Sequence, residues 1–396
     1  MNLADIISLE LSIGKGTKSL SLANHAFEVS ISDSIYKISP EVRVTIEDQG
    51  ILTSRRMGGY GVNWNFTLQT NNKSFTYLLR ADSQEINSRG NNSSVSIAGN
   101  FSTLLKHSFV FLPSVVKVYK SKTPNAVLSD IINEYGKNNF QAVETSSASK
   151  LDMEFIYNPA LRPSEFIEKI LLPLSSSTTS ALNSPFYAFI DSQNRFIFKD
   201  LVSLLQGKSV KTIQLKDSVA LVGDPKKTIN SFDAIPFSQL YSHIYDSIDT
   251  EICSIDAKGK FSAVDTSLKN IAPKMPFYNR EKSLRRYMSE DEFQTPDAYM
   301  RYQSGINNKL RAGYLTDKLV IRTPFDLDLT AGRKVTLKSF MSYSGEEMLS
   351  YSGDYIIESS VHSWNALSNS GTTQIVVGTP SPSIKETIIE KSYYKG

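Results

Sequence analysis

At 396 residues the chain exceeds the size at which one hydrophobic core usually stops growing, so two or three domains are expected. Its apolar and charged fractions, 40% and 21%, are those of a folded protein with enough side chains for real cores. With 43 basic residues against 40 acidic ones the formal charge is only +3, which removes any global electrostatic ground for nucleic-acid binding.

Residues 27–37 place Phe27, Val29 and Ile31 on one face at a period of two. Residues 42–48 repeat the pattern, with Val42, Val44 and Ile46 inward and Arg43, Thr45 and Glu47 outward. Further strands are predicted at 62–69, 74–80, 93–98 and 107–112, separated by turn material at Gly58-Gly59, Asn71-Asn72 and Arg89-Gly90-Asn91-Asn92. This one-sided alternation predicts an all-β first domain, a small barrel or sandwich, over residues 1–112.

After Pro113 the character changes. Thr123 caps and Pro124 opens a helix carrying Val127, Leu128, Ile131 and Ile132, which Gly136 stops. A second helix follows Arg162-Pro163-Ser164, with Phe166, Ile167, Ile170 and Leu171 on one face and Pro173 at its end. Residues 186–190 and 195–199 read as a hairpin across the turn Asp191-Ser192-Gln193-Asn194. Residues 113–209 are therefore expected to form an α/β insertion.

Strands return in 210–255, at Asn230-Ser231-Phe232 and along 237–255. Residues 256–313 read as a polar insertion ending in a helix from Thr295-Pro296 to about Arg311. The clearest strands lie in 314–380: 318–322, 334–338, 355–364 and 372–378, the last two joined over Ser368-Asn369-Ser370-Gly371. Residues 381–396 read as a loose polar tail. The 19 tyrosines and 20 phenylalanines suit a β-rich protein, and equally an extensive subunit interface.

Little catalytic chemistry is marked. Cys253 stands alone, so no intrachain disulfide is possible, and His25, His107, His243 and His362 show no metal-ligand spacing. Gly14-Lys15-Gly16-Thr17 lacks the upstream glycine of a phosphate loop and reads as a turn. Asp326 and Asp328 share one face of an extended segment, as neighbours rather than opponents across a cleft, and solvation or inter-subunit contact explains them better than glycosidic chemistry. Glu346 and Glu347 read as a solvated pair. Arg280, Lys282, Arg285 and Arg286, near Tyr278 and Tyr287, resemble a phosphate-contacting surface, but a solvated or acid-docking face is the stronger reading. His362 shares a strand face with Ser360 and Trp364 and is expected to be a structural histidine bonded across the sheet. No residue is assigned to catalysis, a cofactor or a metal. The start of the chain lacks the pattern of a signal peptide and no apolar run is long enough to span a membrane as a helix, which leads to the expectation of a cytoplasmic origin.

The segment Phe325-Asp-Leu-Asp-Leu-Thr-Ala-Gly-Arg-Lys-Val-Thr-Leu, followed by Asp354-Tyr-Ile-Ile-Glu-Ser-Ser-Val-His-Ser-Trp, resembles the central hub protein of contractile phage tail baseplates. More remotely it is similar to late-control and spike-hub proteins of other contractile injection systems. The family's N-L-T-P-G step corresponds to Asp328-Leu329-Thr330-Ala331-Gly332, with Ala331 in place of proline. Tyr355, Ile357 and His362 fit the strand that follows, while Ser360 occupies a position where valine is usual.

The resemblance implies a mainly β protein with two similar β-barrel-like tube domains, one in 1–112 and one assembled from 210–255 and 314–380, forming a pseudo-sixfold ring in a homotrimer. Such a protein would join the hexameric tail tube to the trimeric central spike and line the genome channel. Its partners would be tail tube or tube-initiator proteins, the spike and surrounding baseplate proteins, with viral DNA passing without sequence-specific binding. It would be assembled in the host cytoplasm and reside in the virion baseplate. A tube-initiator subunit, a peptidoglycan hydrolase and a receptor-binding protein are the competing readings.

Overall fold

Alternation of apolar residues sets most of the strands. The computed structural model describes residues 6–13, 20–21, 26–48, 63–70, 74–88, 99–146, 155–175, 186–216, 228–229, 232–234, 250–255, 261–263, 284–289, 315, 317–340, 352–365, 368 and 370–379. The first region supplies β1 (Ile6–Ile13), β2 (Leu20–Ser21), β3 (Ala26–Ser34), β4 (Glu41–Asp48), β5 (Asn63–Thr70), β6 (Ser74–Ser88) and β7 (Gly99–His107). Val42, Val44 and Ile46 are buried as expected. The strand predicted at 107–112 is instead a 3-10 turn, Ser108–Phe111, and the one predicted at 93–98 lies outside the described residues.

The next region contains β8 (Val116–Lys120), α1 (Pro124–Tyr135), β9 (Ala142–Thr145) and β10 (Phe155–Pro159). A helical run of Pro163–Phe166, the π segment Ile167–Leu171 and Leu172–Leu174 follows, so Pro173 sits in its last turn. Then come β11 (Phe186–Ile190), β12 (Arg195–Asp200) and the short helix α2 (Leu201–Gln206). Thr123 accepts the Ala126 amide at 3.3 Å, the N-cap its sequence announced.

The remaining strands are β13 (Ser209–Lys216), β14 (Thr228–Ile229), β15 (Phe232–Ala234), β16 (Thr250–Ile255), β17 (Phe261–Ala263), β18 (Leu284–Ser289), β19 (Asp317–Pro324), β20 (Lys334–Phe340), β21 (Gly353–Asn365) and β22 (Ser370–Thr379). β16, β17 and β18 form a sheet of their own. The rest of the predicted 237–255 strand and the helix predicted at 295–311 lie outside the described residues.

The expected pair of barrel-like domains does not form. Strands of both strand-rich regions belong to one open sheet of 14 strands, running β14-β13-β20-β21-β3-β4-β7-β6-β5-β1-β2, with β22, β19 and β15 branching from β21. No sheet among the described residues closes on itself. One edge of β21 pairs with β22 from Ile356 to Asn365, while the other pairs first with β20 and then, beyond an irregularity at Glu358, with β3, so β21 joins the two strand-rich regions into one sheet. The fold is therefore mixed α/β, built on an open sheet.

Four cores result. One fills the first region with Val42, Trp64, Phe66 and Tyr77, and reaches Phe325 and Leu327 far along the chain. A second lies between α1, the helical run and one face of the β11–β12 hairpin. A third joins the other hairpin face (Tyr187, Phe189, Ile197) to Ile35, Ala331 and Ile356. The fourth packs the final strands. The hairpin is thus buried on both sides, wedged between the helical region and the sheet.

Candidate functional site at the buried joint

Because both hairpin faces are apolar, its tip is carried into the protein rather than out to water. Asp191, Ser192, Gln193 and Asn194 are all at most 4% exposed. A buried loop has to satisfy its backbone internally, and all four amides of this one have partners within the protein. The Asp191 carboxylate accepts the amides of Gln193 (3.0 Å) and Arg195 (2.9 Å), and the Asn194 amide donates to the Asp191 carbonyl at 2.9 Å. The Ser192 amide donates to Asp33 at 2.6 Å, and Tyr77 donates its hydroxyl to the Ser192 carbonyl. The Asn194 carbonyl accepts the Gln141 amide at 2.8 Å. Asn194 takes a positive φ of 57°, a conformation asparagine tolerates.

The loop's side chains reach the distant parts of the chain. Gln193 donates to the Leu327 carbonyl (2.7 Å) and to Asp328 (3.0 Å), and Asn194 donates to the Thr76 carbonyl (2.6 Å). Arg195 pairs with Asp191 and donates to Thr330 at 3.1 Å. Nearby, Glu144 of β9 joins Lys199 and Arg333, each at 2.6 Å. Burial pushes the Glu144 carboxyl up, but these two cations outweigh it and hold it below the usual range.

Asp33 stands where the three regions meet. It accepts the amides of Ser192, Ala331 (3.3 Å) and Ser360 (3.2 Å) and the Ser360 hydroxyl (2.5 Å). Ala331 replaces the proline expected at this step, and only a non-proline residue has the amide hydrogen that this contact uses. Burial, and then the charge of Asp191, push Asp33 up to about 6, against the opposing pull of its hydrogen bonds. Gly332 follows in the left-handed region (φ 75°), and a Cβ there would fall on the Phe189 ring.

His362 is buried behind Asp33. Its Nε2 lies 2.9 Å from Ser360 Oγ and 3.1 Å from Ser192 Oγ, and its Nδ1 lies 3.0 Å from Thr373 Oγ1 on the neighbouring strand. Burial holds its pKa down at about 3, so the ring is neutral. Serine, histidine and aspartate are close here, yet the order is not that of a nucleophilic triad. The carboxylate sits on the serine, the outer histidine nitrogen meets a threonine, and the histidine is 1% exposed.

The other sequence candidates are placed as follows. Asp326 pairs with Lys211 at 2.5 Å, and its carboxylate accepts the Asp328 amide at 3.0 Å, so the two aspartates brace a turn instead of facing a cleft. His107 is buried and stacks on Phe140. Arg285 and Arg286 lie on β18 opposite Glu251 and Ile252 of β16. His25, His243, Tyr278, Arg280, Lys282, Glu346, Glu347 and the Gly14–Thr17 turn lie outside the described residues. Among the described residues no group of histidine, cysteine or acidic side chains could hold a metal, and no helix is long and apolar enough to cross a membrane.

Sequence reasoning passed over Asp33 and the hairpin tip, although both carried a signal. Val29, Ile31, Asp33 and Ile35 are in phase and all four are buried, so Asp33 was the one charge on an inward face. The strands flanking Asp191–Asn194 have rings on both faces, which leaves no wet side for a turn to occupy.

No family model matches the sequence, and no curated protein matches it. Solved structures do match the fold. The tail protein of Neisseria meningitidis MC58 superposes with a TM-score of 0.52 at 12% identity, covering 94% of this chain and 96% of that one. The 43 kDa tail protein of prophage MuSo2 from Shewanella oneidensis gives 0.53 at 10% identity, covering 94% and 98%. The chain therefore shares the fold of tail proteins over nearly its whole length.

Proposed function

We propose that this chain is a structural hub subunit of a phage-type tail baseplate. In this reading three copies join the tail tube to the central spike and surround the path of the genome, contacting tube or tube-initiator and baseplate proteins on the way. The observation that carries it is the likeness to two tail proteins over nearly the full length of all three chains. The motif resemblance from Phe325 to Trp364 directs it to the hub in particular, and that stretch contributes β20, β21 and the turn at the joint. The role is mechanical. A buried joint that ties three distant segments through hydrogen bonds suits a part that transmits load, and the near-neutral charge suits a channel that lets DNA pass without holding it. Residues 113–209 would then brace the sheet, with the β11–β12 hairpin as their anchor.

Removing the chain from the producing particle tests the reading. Loss of complete tails, with heads still formed, is expected. Complete tails of normal length and symmetry without this chain would overturn it.

A further inference from the structure

Asp33, Ser360, His362 and Thr373 form an unbroken line of hydrogen-bonding atoms, at 2.5, 2.9 and 3.0 Å in turn. The line ends at Asp326, whose amide donates to Thr373 Oγ1 at 2.9 Å and whose carbonyl lies 3.4 Å from it. Every interior member can donate and accept, whereas the last carbonyl only accepts. With Asp33 ionised, Ser360 donates to it, His362 donates from Nε2 to Ser360, and Thr373 donates to His362 Nδ1. With Asp33 protonated, the whole line runs the other way: Asp33 donates to Ser360, Ser360 to Nε2, Nδ1 to Thr373, and Thr373 to the Asp326 carbonyl. Ser192 Oγ, beside Nε2, accepts in the first state and donates in the second. Neither state sets a donor against a donor.

A groove of about 270 Å³, lined by Ser32, Ser34, Lys37, Ser39 and Glu41, runs over the outer face of β3 and β21 at Asp33 and Ser360, whose own side chains are at most 4% exposed. We propose that this line is a proton-operated switch in the joint: Asp33 takes up one proton, the hydrogen bonds reverse, and the favoured His362 tautomer changes from Nε2–H to Nδ1–H by exchange of the ring proton with solvent when the joint opens.

The charged and titratable groups around Asp33 are few. The hairpin presents Asp191 with its partner Arg195, β6 presents Tyr77, and the groove presents the Lys37–Glu41 pair. On β21, Glu358 is engaged by Lys318 at 2.7 Å; in the turn, Asp326 is engaged by Lys211 and Asp328 by Gln193. No cation contacts Asp33 directly among the described residues. Its raised pKa of about 6, beside a His362 held near 3, lets the carboxyl titrate while the ring stays neutral. Since the folded value lies above the unfolded one, protonation stabilises the joint, and that gain is lost as pH rises through about 6.

Isotope-labelled histidine NMR on the full chain tests this, with His362→Gln identifying the signal among four histidines. Between about pH 8 and 5 the ring should stay neutral while its proton changes nitrogen with a midpoint near the Asp33 value. Asp33→Asn should abolish the change. Should that variant not fold, Ser360→Ala decides, because it keeps the carboxylate but cuts the line and should hold one tautomer throughout. A single tautomer in the wild type across this range, or an unchanged midpoint in Ser360→Ala, would overturn the proposal.

Discussion

Replacing Asp33 by alanine removes the acceptor of three buried amides, those of Ser192, Ala331 and Ser360. The Ser360 hydroxyl keeps His362 as a partner. At about 1–3 kcal/mol for each orphaned amide the loss is about 3–9 kcal/mol. Against it stands relief from a buried charge, since raising a carboxyl from 3.8 to about 6 costs about 3 kcal/mol at neutral pH. Subtracting that relief, the net expectation near pH 7.5 is a destabilisation of about 0–6 kcal/mol, centred near 3. Acidification should enlarge it. Between about pH 7.5 and 5 the wild type gains about 1.4 kcal/mol by binding a proton that the variant cannot bind. Denaturant unfolding followed by tryptophan fluorescence reads this well, because Trp64 and Trp364 both pack into the core beside the joint. A cost that shrinks on acidification would refute the reasoning and mean that hydrogen bonds, not burial, dominate the Asp33 carboxyl.

Two further substitutions probe the same region. Gly332→Ala combines a left-handed backbone with a Cβ on the Phe189 ring, and should lower stability by about 2–4 kcal/mol in the same unfolding assay. Lys318→Ala leaves Glu358, whose side chain is 3% exposed, with Tyr36 as its remaining named partner, and should cost about 3–5 kcal/mol near neutral pH. Burial already pushes the Glu358 carboxyl up, so the Lys318→Ala loss should diminish as pH falls and the carboxyl becomes neutral, which unfolding at two pH values checks.

Much of the fold was legible wherever one face of an element is apolar throughout. The strand at 42–48, the capped helix from Pro124 and the last two strands follow from periodicity and caps alone. β7 was misplaced because its inward residues are Thr103, Leu105 and His107, and two polar groups hide a period of two. The merging of both strand-rich regions into one sheet was beyond sequence reasoning for a different reason. It depends on which edge β3 meets, a pairing of Ser34 with Ser359 that no local pattern encodes. The joint is similar: Asp33 was visible as an inward charge, but its partners at Ser192, Ala331 and Ser360 lie 159 to 327 residues away along the chain. Reading the Asp191–Asn194 turn as solvent-facing would have required ignoring the rings on both faces of its strands.

The hub reading is tested most directly by the mass and symmetry of the purified particle, alone and mixed with candidate tube and spike proteins. The account predicts a threefold assembly of this chain that binds both. A stable monomer that binds neither would contradict it.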